Sequence, residues 1–110
     1  MLENNLKQAY AKLFKRYNTI AQENQDEIGS HSANKIMQMG ITAISNPDRF
    51  PAEKMSRWLG FVQGILWQAG FINLKEERDF SRPLIHKAYK DAGLEVPESI
   101  DIQKEILDNW

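Results

Sequence analysis

Arg82, His86, Tyr89 and Lys90 follow one another at steps of four, three and one residues in "EERDFSRPLIHKAYKDAG". On a helix those steps put them on one side, while Leu84, Ile85, Ala88 and Ala92 take the other. A guanidinium fork, an imidazole, a phenol and an ammonium suit a phosphate or carboxylate with an adjacent planar ring. Lys75 and Arg78 lie just upstream, among Glu76, Glu77 and Asp79. Carboxylates that close also allow a plainer reading, in which the cations are neutralised in ordinary ion pairs. We therefore expect Arg78 to be a structural partner of Asp79, and Arg82 and His86 to face an anion.

A second stretch, "SRWLGFVQGILWQAGF" (56–71), carries its own puzzle. Met55, Trp58, Leu59, Val62, Ile65, Leu66 and Ala69 fall within one third of a helical wheel and form a complete core face. Ser56, Gly60, Gln63, Gly64 and Trp67 lie opposite, with Arg57 and Phe61 at the margin. Each glycine costs about 1 kcal/mol of helix stability relative to alanine, so Gly60 and Gly64 imply that something approaches the backbone closely. Two occupants fit. One is a second helix, from this chain or from another copy. The other is a ligand in a groove floored by the glycines, walled by Trp67 and hydrogen-bonded by Gln63 and Arg57. At an oligomer interface both would hold together. The expected ligand-binding set is thus Arg57, Gln63, Trp67, Arg82, His86, Tyr89 and Lys90, between the third and fourth helices or across a subunit contact. Trp58 is expected to be buried, Trp67 to stand near a groove, and the chain to form a homo-oligomer, most simply a dimer.

The elements that must position these residues are helical. Leu2, Leu6, Ala9, Tyr10, Leu13, Phe14, Tyr17, Ile20 and Ala21 recur at three- and four-residue steps, predicting a long amphipathic helix from residue 2 to about 25. Lys7, Lys12, Lys15 and Arg16 occupy its other side and read as a solvated face. Ser30 or Ser32 caps a second helix ending near Ser45, with Ile36, Met37, Gly40, Ile41 and Ile44 as its apolar side. "SNPDRFP" is a turn. A third helix runs from Pro51 to Ala69 and stops at Gly70. Asn73 caps a short turn through "LKEERD", and Ser81 caps a fourth helix that ends near Ala92 and Gly93. A last short helix starts at Ser99 or Asp101 and carries Ile102, Ile106, Leu107 and Trp110. No segment alternates as a strand does. The fold class is therefore all-α: one domain, residues 1–110, built as a compact bundle of four main helices plus a short C-terminal one.

Composition narrows the chemistry. Net charge is −1, from 14 basic and 15 acidic residues, so no overall field favours nucleic acid or an anionic membrane. No apolar run is long enough to cross a bilayer, and the polar N-terminus predicts no secretory signal. With no cysteine, thiolate nucleophiles, disulfides and zinc–thiolate sites are excluded, and a reducing cytoplasm fits. Neither His31 nor His86 sits in a nucleophile-elbow context, and phosphate-binding glycine loops are absent. No enzyme, catalytic residue, cofactor or metal is expected. The one enzymatic alternative is magnesium-dependent nucleotide pyrophosphohydrolysis, with Glu23, Asp26 and Glu27 on one helix and Glu76, Glu77 and Asp79 on another around the ion.

Across "SRWLGFVQGILW" and "ERDFSRPLIHKAY" the chain resembles small accessory proteins encoded by tailed bacteriophages. The resemblance covers residues 50 to 90. It implies a non-structural protein acting in the cytoplasm of an infected bacterium. Several compact helical phage proteins of this size work by binding, some by blocking a host enzyme and others by sequestering cyclic nucleotide or ADP-ribose-type immune signals as oligomers. The expected function is accordingly capture of a small anionic, nucleotide-like ligand. The alternative is a protein-recognition patch that inhibits or redirects a host protein.

Overall fold

The apolar stripe of residues 2–21 becomes the helix on which the others lean. The structure is a computed structural model that describes residues 1–96. Its elements are α1 (Leu2–Glu23), a single turn α2 (Gln25–Ile28), α3 (Ser30–Ser45), α4 (Ala52–Gln68) and α5 (Leu74–Asp91). Among the described residues there is no strand, and the four long helices make the expected all-α bundle. The short helix expected beyond Ser99 lies outside the described residues. None of the described helices is long and apolar enough to cross a membrane.

α3, α4 and α5 each pack against α1, whereas α4 and α5 hardly touch one another. The core is Leu13, Phe14, Tyr17 and Ala21 of α1, Ala33, Ile36 and Ala43 of α3, and Met55, Leu59, Val62 and Leu66 of α4, closed by Ile72. α3 buries a narrower side than its periodicity suggests. Its contact side is small, Ala33, Gly40 and Ala43 around Ile36, and Ile41 is left 59% exposed. Gly40 is the glycine that allows a close approach. A methyl group there would stand 2.5 Å from the Asn18 side-chain oxygen on α1.

Trp58 is half-buried, not buried as expected. It sits at the edge of the α4 core face, where its ring meets Phe50 at 5.1 Å between centroids, and the Lys54 ammonium covers both rings.

The largest departure from expectation is in α5. The predicted short turn and separate Ser81-capped helix are one continuous helix through Pro83. Asn73 Oδ1 accepts from the backbone N–H groups of Lys75 and Glu76, at 2.9 and 3.2 Å, so the helix is already nucleated eight residues before Ser81. Ser81 Oγ donates back to the Arg78 carbonyl at 3.4 Å, as an interior serine does, rather than capping. Pro83 removes one backbone donor without ending the helix. Both glycine stops are as expected. Gly70 and Gly93 have φ of +85° and +73°, and each closes a two-bond C-terminal cap: Phe71 to Leu66 with Gly70 to Trp67, and Leu94 to Tyr89 with Gly93 to Lys90. The start of α4 is capped from another helix. Pro51 stands just outside it, and the Ala52 N–H donates to Glu3 Oε1 of α1 at 2.6 Å.

Asn73→Ala is expected to lower stability by about 1 kcal/mol in urea denaturation, and Ser81→Ala to change it by less than half as much. The reverse order would place the start of the helix at Ser81.

Candidate anion-binding site

Because α5 is one helix, its two sides have opposite fates. The inner side carries Glu77, which is only 4% exposed. Arg16 of α1 grips this carboxylate with two parallel hydrogen bonds, Nε to Oε1 and Nη2 to Oε2, both 2.9 Å. The same guanidinium stacks on the Phe80 ring at 4.3 Å. The fully buried Tyr17 hydroxyl lies beside the same carboxylate, close enough for the two to interact. Gln63 Nε2 of α4 donates to that hydroxyl at 2.8 Å. One buried polar chain therefore runs from α5 through α1 to α4. Hydrogen bonding to Glu77 raises the pKa of Arg16 above its ordinary value. Burial, followed by the negative neighbour Glu77, pushes the Tyr17 phenol well above the usual tyrosine range, and the Gln63 hydrogen bond opposes this only in part.

The outer side carries Arg82, His86 and Lys90 at four-residue steps. They line one open hollow of about 500 Å3 together with Asp79, Pro83, Lys87 and Asp91. Both carboxylates at this hollow are engaged by other cations. Asp79 pairs with Arg78 at 3.8 Å, and Asp91 pairs with Lys87 one turn away. The side chains of Arg82, His86 and Lys90 take no hydrogen bond, ion pair or ring contact among the described residues. Arg82 and His86 also border a smaller, more apolar hollow of about 220 Å3 with Arg78, Ser81 and Ile85. Three hydrogen-bond donors thus converge without an acceptor among the described residues.

The rest of the expected ligand set is not brought to this place. Tyr89 lies on the flank facing α1, close enough to Tyr10 for the two phenols to interact. Burial raises the pKa of Tyr10, while a hydrogen bond from Ser56 of α4 partly offsets it. Gln63 is committed to Tyr17. Arg57 is exposed and pairs with Glu53 at 3.6 Å on its own helix. Trp67 is 38% exposed on α4. A cleft shared by α4 and α5 is not what positions these groups, because each helix rests on α1.

Among the described residues no helix covers the glycine pair. A Cβ added to Gly60 or Gly64 would meet nothing within 4 Å. Of the two occupants expected there, a second helix is not supplied by the described residues, and the backbone floors an open, largely apolar hollow. The expected solvated cationic face of α1 also needs correction. Arg16 belongs to the buried chain, and Lys7 donates to the Pro47 carbonyl at 2.6 Å. Lys12 and Lys15 do stand exposed.

The magnesium alternative places carboxylates from two helices around one ion. Among the described residues no group of three or more His, Asp or Glu is placed to hold a metal ion. Glu77, one of its proposed ligands, is turned inward to Arg16. No protein-family model, curated relative or solved structure matches the chain.

Sequence reasoning missed the Arg16–Glu77–Tyr17–Gln63 chain, although one signal pointed to it. Tyr17 falls on the apolar stripe of α1, and a buried phenol needs a hydrogen-bond partner.

Two results are expected from this chain. Arg16→Ala strands a buried carboxylate and should cost at least about 2 kcal/mol, below the ~3–5 kcal/mol of a fully buried pair because the guanidinium keeps solvent contact. Stability should also fall at alkaline pH. Above about pH 10 the unfolded chain ionises Tyr17 while the folded chain holds its proton. The contribution is therefore complete below pH 10 and is lost as pH rises beyond it. Urea denaturation across pH 8–11 checks this, with Tyr17→Phe flattening the fall.

Proposed function

We propose that the protein is a non-enzymatic binding protein that captures a small anionic, nucleotide-like ligand on the outer side of α5. Arg82 offers a planar fork to a phosphate or carboxylate, Lys90 adds a mobile point charge, and the His86 ring meets the ligand between them. The observation that carries this reading is the convergence of those three side chains on one hollow with no partner among the described residues. Following the resemblance to phage accessory proteins, the ligand class that fits is a phosphate-bearing signal in the cytoplasm of an infected cell.

A second reading has its own support. The hollow is lined by α5 alone and is open to solvent, a shape that also suits the acidic surface of a partner protein. In that case the same cations anchor a host protein, and the protein inhibits or redirects it.

Thermal-shift measurements with pyrophosphate, ADP-ribose and a cyclic dinucleotide separate the two. A bound probe at 100 times its dissociation constant should stabilise the fold by about 2.7 kcal/mol. Arg82→Ala should abolish that gain and leave the unliganded melting temperature nearly unchanged, because Arg82 has no partner among the described residues. Arg82→Lys should recover part of it. If no probe stabilises the protein, or if Arg82→Ala lowers unliganded stability with the response intact, the small-ligand reading fails and the protein-partner reading takes its place.

A further inference from the structure

The open hollow beside Gly60 and Gly64 measures about 640 Å3 and lies between α4 and the α2–α3 corner. Its walls are largely apolar: Ile28, Phe61, Ile65 and Ala69, with Phe61 53% exposed. Glu27 stands on its α2 side. Glu27, Ile28 and Ser32, just before and at the start of α3, share this hollow with residues 60–69 in the C-terminal half of α4. Glu27 therefore stands beside the C-terminal half of α4. The N-terminal part of the same α4 face carries Arg57, whose side chain is 68% exposed and lies in a solvent-exposed pair with Glu53 at 3.6 Å.

We propose that this groove is the interface of a two-fold homodimer in which α4 packs antiparallel against α4 of a second copy. Two features of the face select its own copy as the occupant. The first is shape. A projecting Phe61 and a recess at Gly64, where an added Cβ would meet nothing within 4 Å, sit one helical turn apart. A two-fold axis crossing α4 between Gly60 and Gly64 lays each Phe61 into the Gly64 recess of the other copy. The second is charge. The same axis brings the Arg57 end of one copy to the Glu27 end of the other, twice. A closed isologous contact requires this kind of self-complementarity. The interface uses α4 and α2, and leaves Arg82, His86 and Lys90 of α5 outside it.

Sedimentation analysis of the purified chain tests the proposal. The wild type should be dimeric at high micromolar concentration. Gly64→Leu fills the recess and should give a monomer with unchanged helix content, since leucine is the better helix former. Arg57→Glu should raise the dimer dissociation constant by about tenfold or more, because like charges then face each other. Combining it with Glu27→Arg should restore the dimer. A wild-type monomer overturns the proposal and leaves the groove to a different protein. So does a dimer that Gly64→Leu and Arg57→Glu leave intact, or a charge-swapped double variant that fails to reassociate.

Discussion

A carboxylate taken out of water must be matched by charge and hydrogen bonds, and in this fold Glu77 sets that condition. Moving an ion from water into a protein interior costs several kcal/mol unless a counter-charge and donors replace the lost solvation. Arg16 and Tyr17 meet the requirement from α1, and Gln63 completes it from α4 by bonding the same phenol. α4 and α5 hardly touch, so this polar chain relates them more than direct packing does. It also fixes the rotation of α5. With Glu77 and Ala88 turned inward, the positions of Arg82, His86 and Lys90 are turned outward by helical geometry alone.

The far end of the bundle is fastened by the same means, with side chains of α1 reaching backbone groups of its neighbours. Glu3 accepts from the first N–H of α4, and Asn5 Nδ2 donates to the Ala88 carbonyl of α5 at 3.2 Å. α1 thus holds both outer helices at two levels. The faces that α4 and α5 turn away from it are left open, apolar on α4 and cationic on α5. The inner side of α5 holds the carboxylate paired with Arg16, and its outer side holds Arg82, His86 and Lys90, which have no partner among the described residues.

Much of this was legible from the sequence because it is local. Apolar steps of three and four residues located α1, α3 and α4 to within a few residues, and Gly70 and Gly93 ended their helices where left-handed backbone was needed. The cationic side of the last helix was legible for the same reason. What failed was long-range or competitive. Pro83 and Ser81 suggested a helix start, but the Asn73 cap upstream nucleates the helix first, and one lost backbone bond does not break it. Gln63 and Arg16 looked like surface groups, since their partners lie 46 and 61 residues away in the chain. Gly60 and Gly64 suggested a tight contact, whereas among the described residues it is Gly40, lying against Asn18, that has one.

The separation of an anchored inner side from a binding outer side of α5 is open to direct observation by two-dimensional NMR during a titration with pyrophosphate. The account predicts saturable shifts in the Arg82 and Lys90 amides and the His86 ring, with the Tyr17, Gln63 and Glu77 signals unmoved. Shifts centred on the Arg16–Glu77 chain or on Gly60 and Gly64, or no saturable shift on α5, would contradict it.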